Sequence, residues 1–149
     1  MKVYDTAREV LKRKSPEIWS ITPESSVYRA IEVMADKHIG ALLVIADDRL
    51  AGIISERDYA RKVILKGRSS KETPVREIMT TPVIFVEPLQ SVDECMRIMT
   101  DNRIRHLPVM ENDKVIGVVS IGDLVNWIMS AQNHTIEQLQ NYVSCKYPL

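Results

Sequence analysis

Apolar positions recur along the chain with two different periods, and these periods predict helices and strands. Two stretches carry apolar side chains at positions i, i+3, i+4 and i+7, which form one face of a helix. These positions are Val27, Ala30, Ile31 and Met34 in one stretch, and Val92, Cys95, Met96 and Met99 in the other. Each stretch is followed by two short apolar runs around a polar turn, which is typical of a β-hairpin. The pattern therefore predicts a helix followed by a hairpin, twice.

The remaining predicted elements complete two similar halves. The hairpins combine residues 41–45 with 50–54, and residues 107–110 with 115–119. A short extended stretch precedes each helix, at residues 19–21 and 84–86, and a last helix begins near Asp58 or Asp123. Each half thus has the order β-α-β-β-α. We expect a mixed α/β (α+β) fold of two pseudo-symmetric repeats packed through their sheets.

The second half of the sequence repeats the first without a gap. Residues 23–63 align with residues 88–128, and twelve of these 41 positions are identical. Upstream, residues 8–11 resemble residues 76–79. Two copies are too few for a solenoid, so we expect halves that bury one another.

The repeats define the expected domain organisation. The first repeat covers residues 1–65, a polar linker with turn residues covers 66–74, and the second repeat covers 75–130. Residues 131–149 form a C-terminal helical tail, in which Ile136, Leu139 and Val143 have the spacing of an amphipathic helix.

The strongest chemical signal is a motif that occurs once in each repeat. A strand with a glycine ends in Ser55 or Ser120, and three residues later Asp58 or Asp123 opens a helix. A helix N-terminus favours an anion, and a carboxylate there can accept hydrogen bonds from the hydroxyls of a ribose. The alternative interpretation of either aspartate is an ordinary helix N-cap.

A second signal is a group of cations beside the second hairpin. Arg103, Arg105 and His106 precede the strand, and Arg57 lies inside the first motif. Guanidinium donors suit phosphate oxygens, and histidine changes charge near neutral pH. The alternative is a set of solvated surface charges, which contribute little to stability.

Composition and charge exclude several classes of protein. The chain has 149 residues, 45% of them hydrophobic, and its twenty basic residues balance twenty acidic ones. The apolar content disfavours disorder, and the zero net charge disfavours binding to nucleic acid or an anionic membrane. No apolar run is long enough to span a bilayer, and the polar start disfavours secretion, so we expect a cytoplasmic protein.

The reactive residues match no common catalytic or metal site. Cys95 and Cys145 are 50 residues apart, and the three histidines lack zinc-ligand spacing. The sequence contains no GxSxG, HExxH or phosphate-loop motif. These absences disfavour the common hydrolases, and we expect no enzyme, catalytic cofactor or metal.

The two motifs, the segment from Arg105 to Val109 and their spacing resemble a tandem CBS-domain pair, also called a Bateman module, of the stand-alone kind. The resemblance covers about residues 4–130. It implies two clefts that take an adenine nucleotide, with AMP as first choice and ADP, ATP, S-adenosylmethionine or NAD as others. It also implies a homodimer.

The resemblance implies roles for particular residues. Asp58 and Asp123 would hold ribose, with Ser55 and Ser120 beside it. The phosphate would meet Arg57, Arg105 and His106. Groups borrowed from the other copy would be Pro16, Ile39 and Gly40 at the Asp123 cleft, and Val83, Ile84, Ile104 and Pro108 at the Asp58 cleft. Lys14 would reach the ligand of the Asp123 cleft. Gly122 stands where the first copy has Arg57, so we expect the clefts to be unequal.

These observations favour a non-enzymatic adenine-nucleotide sensor that regulates an unidentified partner protein. The alternative from another class is a redox regulator that acts through Cys95 or Cys145. An enzyme acting on a nucleotide would need paired carboxylates, a metal set or a nucleophile with its base, and the sequence offers none. Nucleic-acid binding through Arg103 and Arg105 is disfavoured by the neutral net charge.

Overall fold

A computed structural model describes residues 5–146 of the chain, with the side chains of residues 5–141. It confirms the mixed α and β composition. The elements in chain order are α1 (Ala7–Lys12), β1 (Ser20–Ile21), α2 (Val27–Lys37), β2 (Ala41–Ala46), β3 (Arg49–Ser55), α3 (Glu56–Tyr59), α4 (Val92–Asn102), β4 (His106–Glu111), β5 (Lys114–Ser120) and α5 (Ile121–Lys146). A π-helical turn, Ala60–Ile64, continues α3, and a 3-10 turn lies at Val75–Glu77.

The chain folds into two compact units. The first-copy unit comprises Glu17–Phe85 and Met110–Ile116. The second-copy unit comprises Met1–Pro16, Val86–Val109 and Gly117–Leu149. The N-terminal segment therefore belongs to the unit that contains α4 and α5.

The first-copy unit is built on a three-stranded sheet in the order β1-β2-β3. Strand β1 is parallel to β2, and β2 is antiparallel to β3. The predicted turn of this hairpin contains Asp47 and Asp48 with φ of 50° and 61°. Positive φ at two successive residues is the geometry of the tight hairpin turns that favour Asn, Asp and Gly. The sheet covers the buried face of α2, formed by Val27, Ala30 and Met34.

Strands β4 and β5 pair in the same way as a two-stranded hairpin, of which residues 106–109 and 117–120 belong to the second-copy unit. A single parallel bridge between Val86 and Val109 stands where the first copy has β1. Helix α1 is fastened to the start of α4, because Val92 N–H donates to Asp5 O at 2.7 Å and Ala7 N–H donates to Gln90 O at 2.9 Å. Its apolar side chains, Ala7 and Val10, are buried.

The predicted helices α2 and α4 begin and end in the same way. Ser26 Oγ and Ser91 Oγ each accept a hydrogen bond from a backbone N–H in the first turn. Both helices end in a left-handed residue, His38 or Arg103. The predicted apolar face of α4 is confirmed at Val92, Cys95 and Met99, which are buried.

Residues 131–146 of the tail are helical as part of α5, which runs for 26 residues without a break. Neither proline nor glycine occurs between Gly122 and Lys146 to interrupt it. Ile136 and Leu139 are exposed, and the side chain of Val143 lies outside the described residues.

Candidate functional site

Each repeated motif forms the junction between a strand and the helix that follows it. In the first copy Ser55 is the N-cap of α3, and Asp58 is the third helical residue. Their side chains bond each other's backbone N–H groups, at 3.1 Å for Asp58 N–H and 2.9 Å for Ser55 N–H. Ser120 and Asp123 make the same exchange at the start of α5, at 3.1 and 2.8 Å. In both copies the serine is thus the N-cap and the aspartate is its capping-box partner, so a capping role for the aspartates is present in the fold, while their role in binding stays a prediction.

Asp58 is surrounded by donors from its own unit. Its Oδ2 accepts from Ser55 N–H and also from Ser55 Oγ at 3.1 Å. Its Oδ1 accepts from Thr80 Oγ1 at 3.2 Å and lies 2.9 Å from Lys62 Nζ. Lys62 also donates to Ile78 O at 2.9 Å. The carboxylate thus joins α3 to the segment that follows the linker.

Asp123 has a different partner. Lys14 Nζ lies 2.7 Å from Asp123 Oδ2 and donates to Val118 O at 2.7 Å. Burial alone would raise the pKa of Asp123, but the hydrogen bonds from Lys14 and from the backbone of Ser120 outweigh it and lower that pKa. Asp123 is therefore ionised at neutral pH and available to accept hydrogen bonds.

His106 lies in the electrostatic field of the same group. Burial lowers the pKa of His106, and the positive charges of Lys14 and Arg105 lower it further, against the opposing effect of Asp123. The imidazole is consequently neutral at pH 7. A neutral ring offers one donor and one acceptor, whereas an anion beside it would favour the charged form.

A pocket of about 160 Å³ opens beside Asp123 within the second-copy unit. Its lining consists of Val10, Arg13, Lys14, Asp123, Asn126, Trp127 and Ser130. The guanidinium of Arg13 lies over the Trp127 ring at 4.2 Å, and the Trp127 Nε1–H donates to Asp5 Oδ2 at 2.8 Å. The pocket therefore has an aromatic wall, held by these two contacts, with polar and charged groups around it.

The motif glycines lie in close contact with neighbouring side chains. A Cβ on Gly117 would lie 2.6 Å from Leu11 Cδ2, and one on Gly52 would lie 2.6 Å from Met79 Sδ. This explains the resemblance between residues 8–11 and 76–79, because each segment packs on the motif strand of its unit. Residues 8–11 pack on the second copy, and residues 76–79 pack on the first.

The other predicted residues occupy varied positions. Arg57, Arg105 and Gly122 are exposed, and a Cβ on Gly122 would lie 3.7 Å from Ser120 Oγ, an ordinary van der Waals contact. The carbonyl of Arg105 accepts from Ile121 N–H at 2.8 Å, as that of Gly40 accepts from Glu56 N–H at 3.1 Å. Arg105 is thus held at the N-terminus of α5, next to the Asp123 motif.

The residues predicted to be shared between copies belong to both compact units. Pro16 and Ile84 are exposed, while Ile39, Val83 and Ile104 are half-buried. Pro108 is buried, and its carbonyl accepts from Val86 N–H at 2.9 Å. Their assignment to particular clefts stays a prediction.

Sequence reasoning missed several groups around the motifs. Lys62 lies four residues after Asp58 on the same helical segment, so the i,i+4 rule for ion pairs could have found it. Thr80, Arg13 and Trp127 are far from their partners in sequence, and no local pattern marks them.

The cysteines give no support to a redox role. Cys95 is fully buried, and burial together with the charge of Glu94 raises its pKa to about 11. A thiol that is not ionised is a poor nucleophile. The side chain of Cys145 lies outside the described residues. Among the described side chains, no cluster of three or more His, Cys, Asp or Glu residues could hold a metal ion.

Comparisons with known proteins agree with the arrangement. The CBS domain family matches residues 7–65 and 75–130. The CBS domain-containing protein CBSX3, mitochondrial, of Arabidopsis thaliana is 41% identical over 152 residues, which cover 95% of this chain and 73% of that protein. A candidate signal-transduction protein with CBS domains from Burkholderia ambifaria has a structure with TM-score 0.83 and 54% identity, covering 85% of this chain and 96% of that one.

A more distant structure contains ligands. The CBS domain pair of protein MJ0100, solved with 5-methylthioadenosine and S-adenosyl-L-methionine, has TM-score 0.76 and 22% identity and covers 86% of this chain and 98% of that one. Over residues 5–146, no helix is both long and apolar enough to cross a membrane. The repeat, the strand–helix motifs and the matches over most of both repeats lead to one conclusion: the chain belongs to the CBS-domain family.

Proposed function

We propose that this protein is a non-enzymatic regulatory module that binds an adenine nucleotide and thereby alters a partner protein. The observation that carries the proposal is the ionised Asp123 at the start of a long helix, beside Lys14, His106 and an open pocket. A carboxylate in that position accepts hydrogen bonds from ribose hydroxyls, and the nearby cations suit a phosphate. The adenosine ligands of the MJ0100 pair support this class of ligand.

AMP is the first choice of ligand, and ADP, ATP, S-adenosylmethionine and NAD are the others to test. The phosphate would interact with Arg105, which is held at the N-terminus of α5, and with His106 beside it. A helix N-terminus adds partial positive charge to the same place. The ligand acts as a regulator if it favours one conformation of the protein, with a coupling free energy of about 1–3 kcal/mol.

The decisive experiment is identification of bound nucleotide followed by titration. Mass spectrometry of the denatured protein detects a co-purified ligand, and calorimetry then compares AMP with adenosine. Replacing Arg105 by Ala is expected to lower the affinity for AMP more than the affinity for adenosine, because only AMP carries the anionic phosphate. Arg97→Ala is the matched control, since Arg97 is an exposed arginine of the same unit on α4.

Two outcomes would contradict this proposal. Failure of every named ligand to bind would remove the nucleotide function. Equal losses of affinity for AMP and for adenosine in Arg105→Ala would show that Arg105 acts through folding and not through the phosphate.

The wider proposal includes a homodimer and a cytoplasmic location. Exposed apolar side chains on α5, among them Val125 and Met129, support association with a second copy. Light scattering with and without AMP tests the dimer. The mitochondrial relative is the reason to test the location directly, by fractionation of cells that produce the protein.

A further inference from the structure

The two motifs share a sequence pattern, but their carboxylates have different surroundings. We infer that only the Asp123 motif binds the nucleotide, and that Asp58 is a structural group whose acceptors are already used within the fold. This inference rests on the proposed function and specifies which copy carries it. The sequence predicts unequal clefts from Arg57 and Gly122, whereas the structure gives a different cause.

Asp58 has no acceptor left for a ligand. A carboxylate offers about four acceptor positions. Its Oδ2 accepts twice from Ser55, through N–H and Oγ, and its Oδ1 is contacted by Thr80 Oγ1 and Lys62 Nζ. Its side chain is 11% exposed. A ribose could bind only by displacing donors in a buried place.

Displacement at Asp58 would be costly. Lys62 bridges the carboxylate and Ile78 O, so its removal breaks two contacts. Leaving a buried donor or acceptor without a partner destabilises the folded protein by more free energy than an ordinary hydrogen bond contributes to its stability. The hydroxyls of a ribose would have to replace a charged partner with neutral ones.

Asp123 has fewer partners than Asp58. Its Oδ2 accepts from Ser120 N–H and contacts Lys14 Nζ, and the Ser120 side chain also bonds the carboxylate. Among the described residues, it has no counterpart of the Thr80 hydroxyl that bonds Asp58 in addition to a lysine. Its side chain is 23% exposed, twice the fraction of Asp58. It also lines the pocket of about 160 Å³. A ribose hydroxyl can therefore add a hydrogen bond here without breaking one.

One aligned position explains much of this difference. The residue aligned with Lys62 at the repeat offset of 65 is Trp127. An indole cannot pair with a carboxylate as an ammonium group does, and the Trp127 N–H is directed to Asp5 instead. Trp127 thus leaves Asp123 open and forms a wall of the pocket. The inequality is encoded in the sequence of the two copies.

The test is calorimetric titration of the full chain with AMP, ADP, ATP, NAD and S-adenosylmethionine in turn, combined with thermal unfolding. Wild type is expected to bind one nucleotide per chain. Asp123→Asn keeps the shape of the side chain and is expected to weaken binding about tenfold or more, because a charged acceptor is lost. Asp58→Asn is expected to lower the melting temperature more than Asp123→Asn does and to leave one nucleotide site.

A milder variant covers the case in which Asp58→Asn does not fold. Lys62→Met removes the ion pair of Asp58 but leaves the bonds from Ser55 and Thr80, so one site is again expected. Two sites in wild type, or a loss of binding in Lys62→Met equal to that in Asp123→Asn, would overturn the inference and leave the proposed function intact. No binding of any of the five ligands to wild type would overturn the proposed function, and this assignment with it.

Discussion

At the scale of single residues, the unusual group is His106, which is neutral in surroundings that contain two positive charges. Burial is the largest cause of its lowered pKa, and Lys14 and Arg105 add to it. Between this lowered pKa and the ordinary value near 6.5, the unfolded chain binds more protons than the folded chain. His106 therefore destabilises the fold as pH falls through that range.

His106→Asn is expected to remove this part of the pH dependence. The free energy of unfolding of wild type should fall between about pH 7.5 and pH 5.5, and the variant should lose less over the same interval. Urea unfolding at the two pH values measures the difference. His134→Asn is the control, because His134 is exposed on α5 and bonds only its helical neighbour Gln138 among the described residues. Equal slopes for wild type and His106→Asn would contradict the expectation.

The same imidazole should couple nucleotide binding to protons. A phosphate beside His106 would raise its pKa, so AMP binding would take up a proton. We expect the affinity for AMP to rise as pH falls from about 8 to 6.5, above the second pKa of the phosphate near 6. Adenosine lacks the anion and should show no such rise. Calorimetry in buffers of different ionisation enthalpy measures the proton uptake. If no proton is taken up, the phosphate does not lie beside His106.

Cys95 supplies a chemical test of burial. Its pKa of about 11 leaves roughly a hundredfold less thiolate at neutral pH than an ordinary cysteine has. In a Cys145→Ser background, iodoacetamide should modify Cys95 slowly in the native protein and rapidly in urea. Native modification at the rate of a free thiol would reopen the redox alternative.

At the scale of elements, the helix N-caps give the clearest stability prediction. Ser91 Oγ accepts from Glu94 N–H at 3.1 Å at the start of α4. Ser91→Ala is expected to cost about 1 kcal/mol of unfolding free energy, because that N–H loses its partner. Ser91→Asp keeps an acceptor at the same place and should restore most of the loss. Urea unfolding decides, and a smaller loss in Ser91→Ala than in Ser91→Asp would contradict the capping argument.

The elements themselves were largely predictable from local pattern. Period and turn chemistry located α2, α4 and both hairpins, because each has a buried face opposite an exposed one. The pattern did not show which copy α1 completes. That depends on tertiary contacts, such as the packing of Leu11 on Gly117, which are far apart in sequence.

In the candidate site, too, the local motif was predictable from the sequence and the long-range contacts were not. The motif indicated Ser55, Asp58, Ser120 and Asp123 as polar groups at helix starts, because strand, serine and aspartate follow one another locally. The partners that distinguish the two aspartates, Lys14 and Thr80, come from distant segments. Without the fold, the two aspartates themselves look equivalent, and only the exchange of Arg57 for Gly122 predicts that their clefts differ.

At the scale of the whole molecule, the first part of α5 packs on the second-copy unit and its last part, from residue 132 onward, is exposed as far as residue 141. Leu124 is buried, and Trp127 and Ser130 line the pocket, whereas residues 132–141 are all exposed. Exposed residues that bury no apolar surface contribute little to global stability. The tail should therefore be separable from the folding of the two units.

Truncation after Ala131 is expected to change the melting temperature by no more than about 2–4 °C, corresponding to about 1 kcal/mol or less. Far-UV circular dichroism should show the loss of helix, and calorimetric scans at two protein concentrations should show the same change of melting temperature with concentration for the truncated chain as for wild type, because Val125 and Met129 remain in both. A wild-type melting temperature that falls on dilution, while that of the truncated chain does not, would show the opposite: Ile136 and Leu139, exposed within one chain, would then be buried against a second copy.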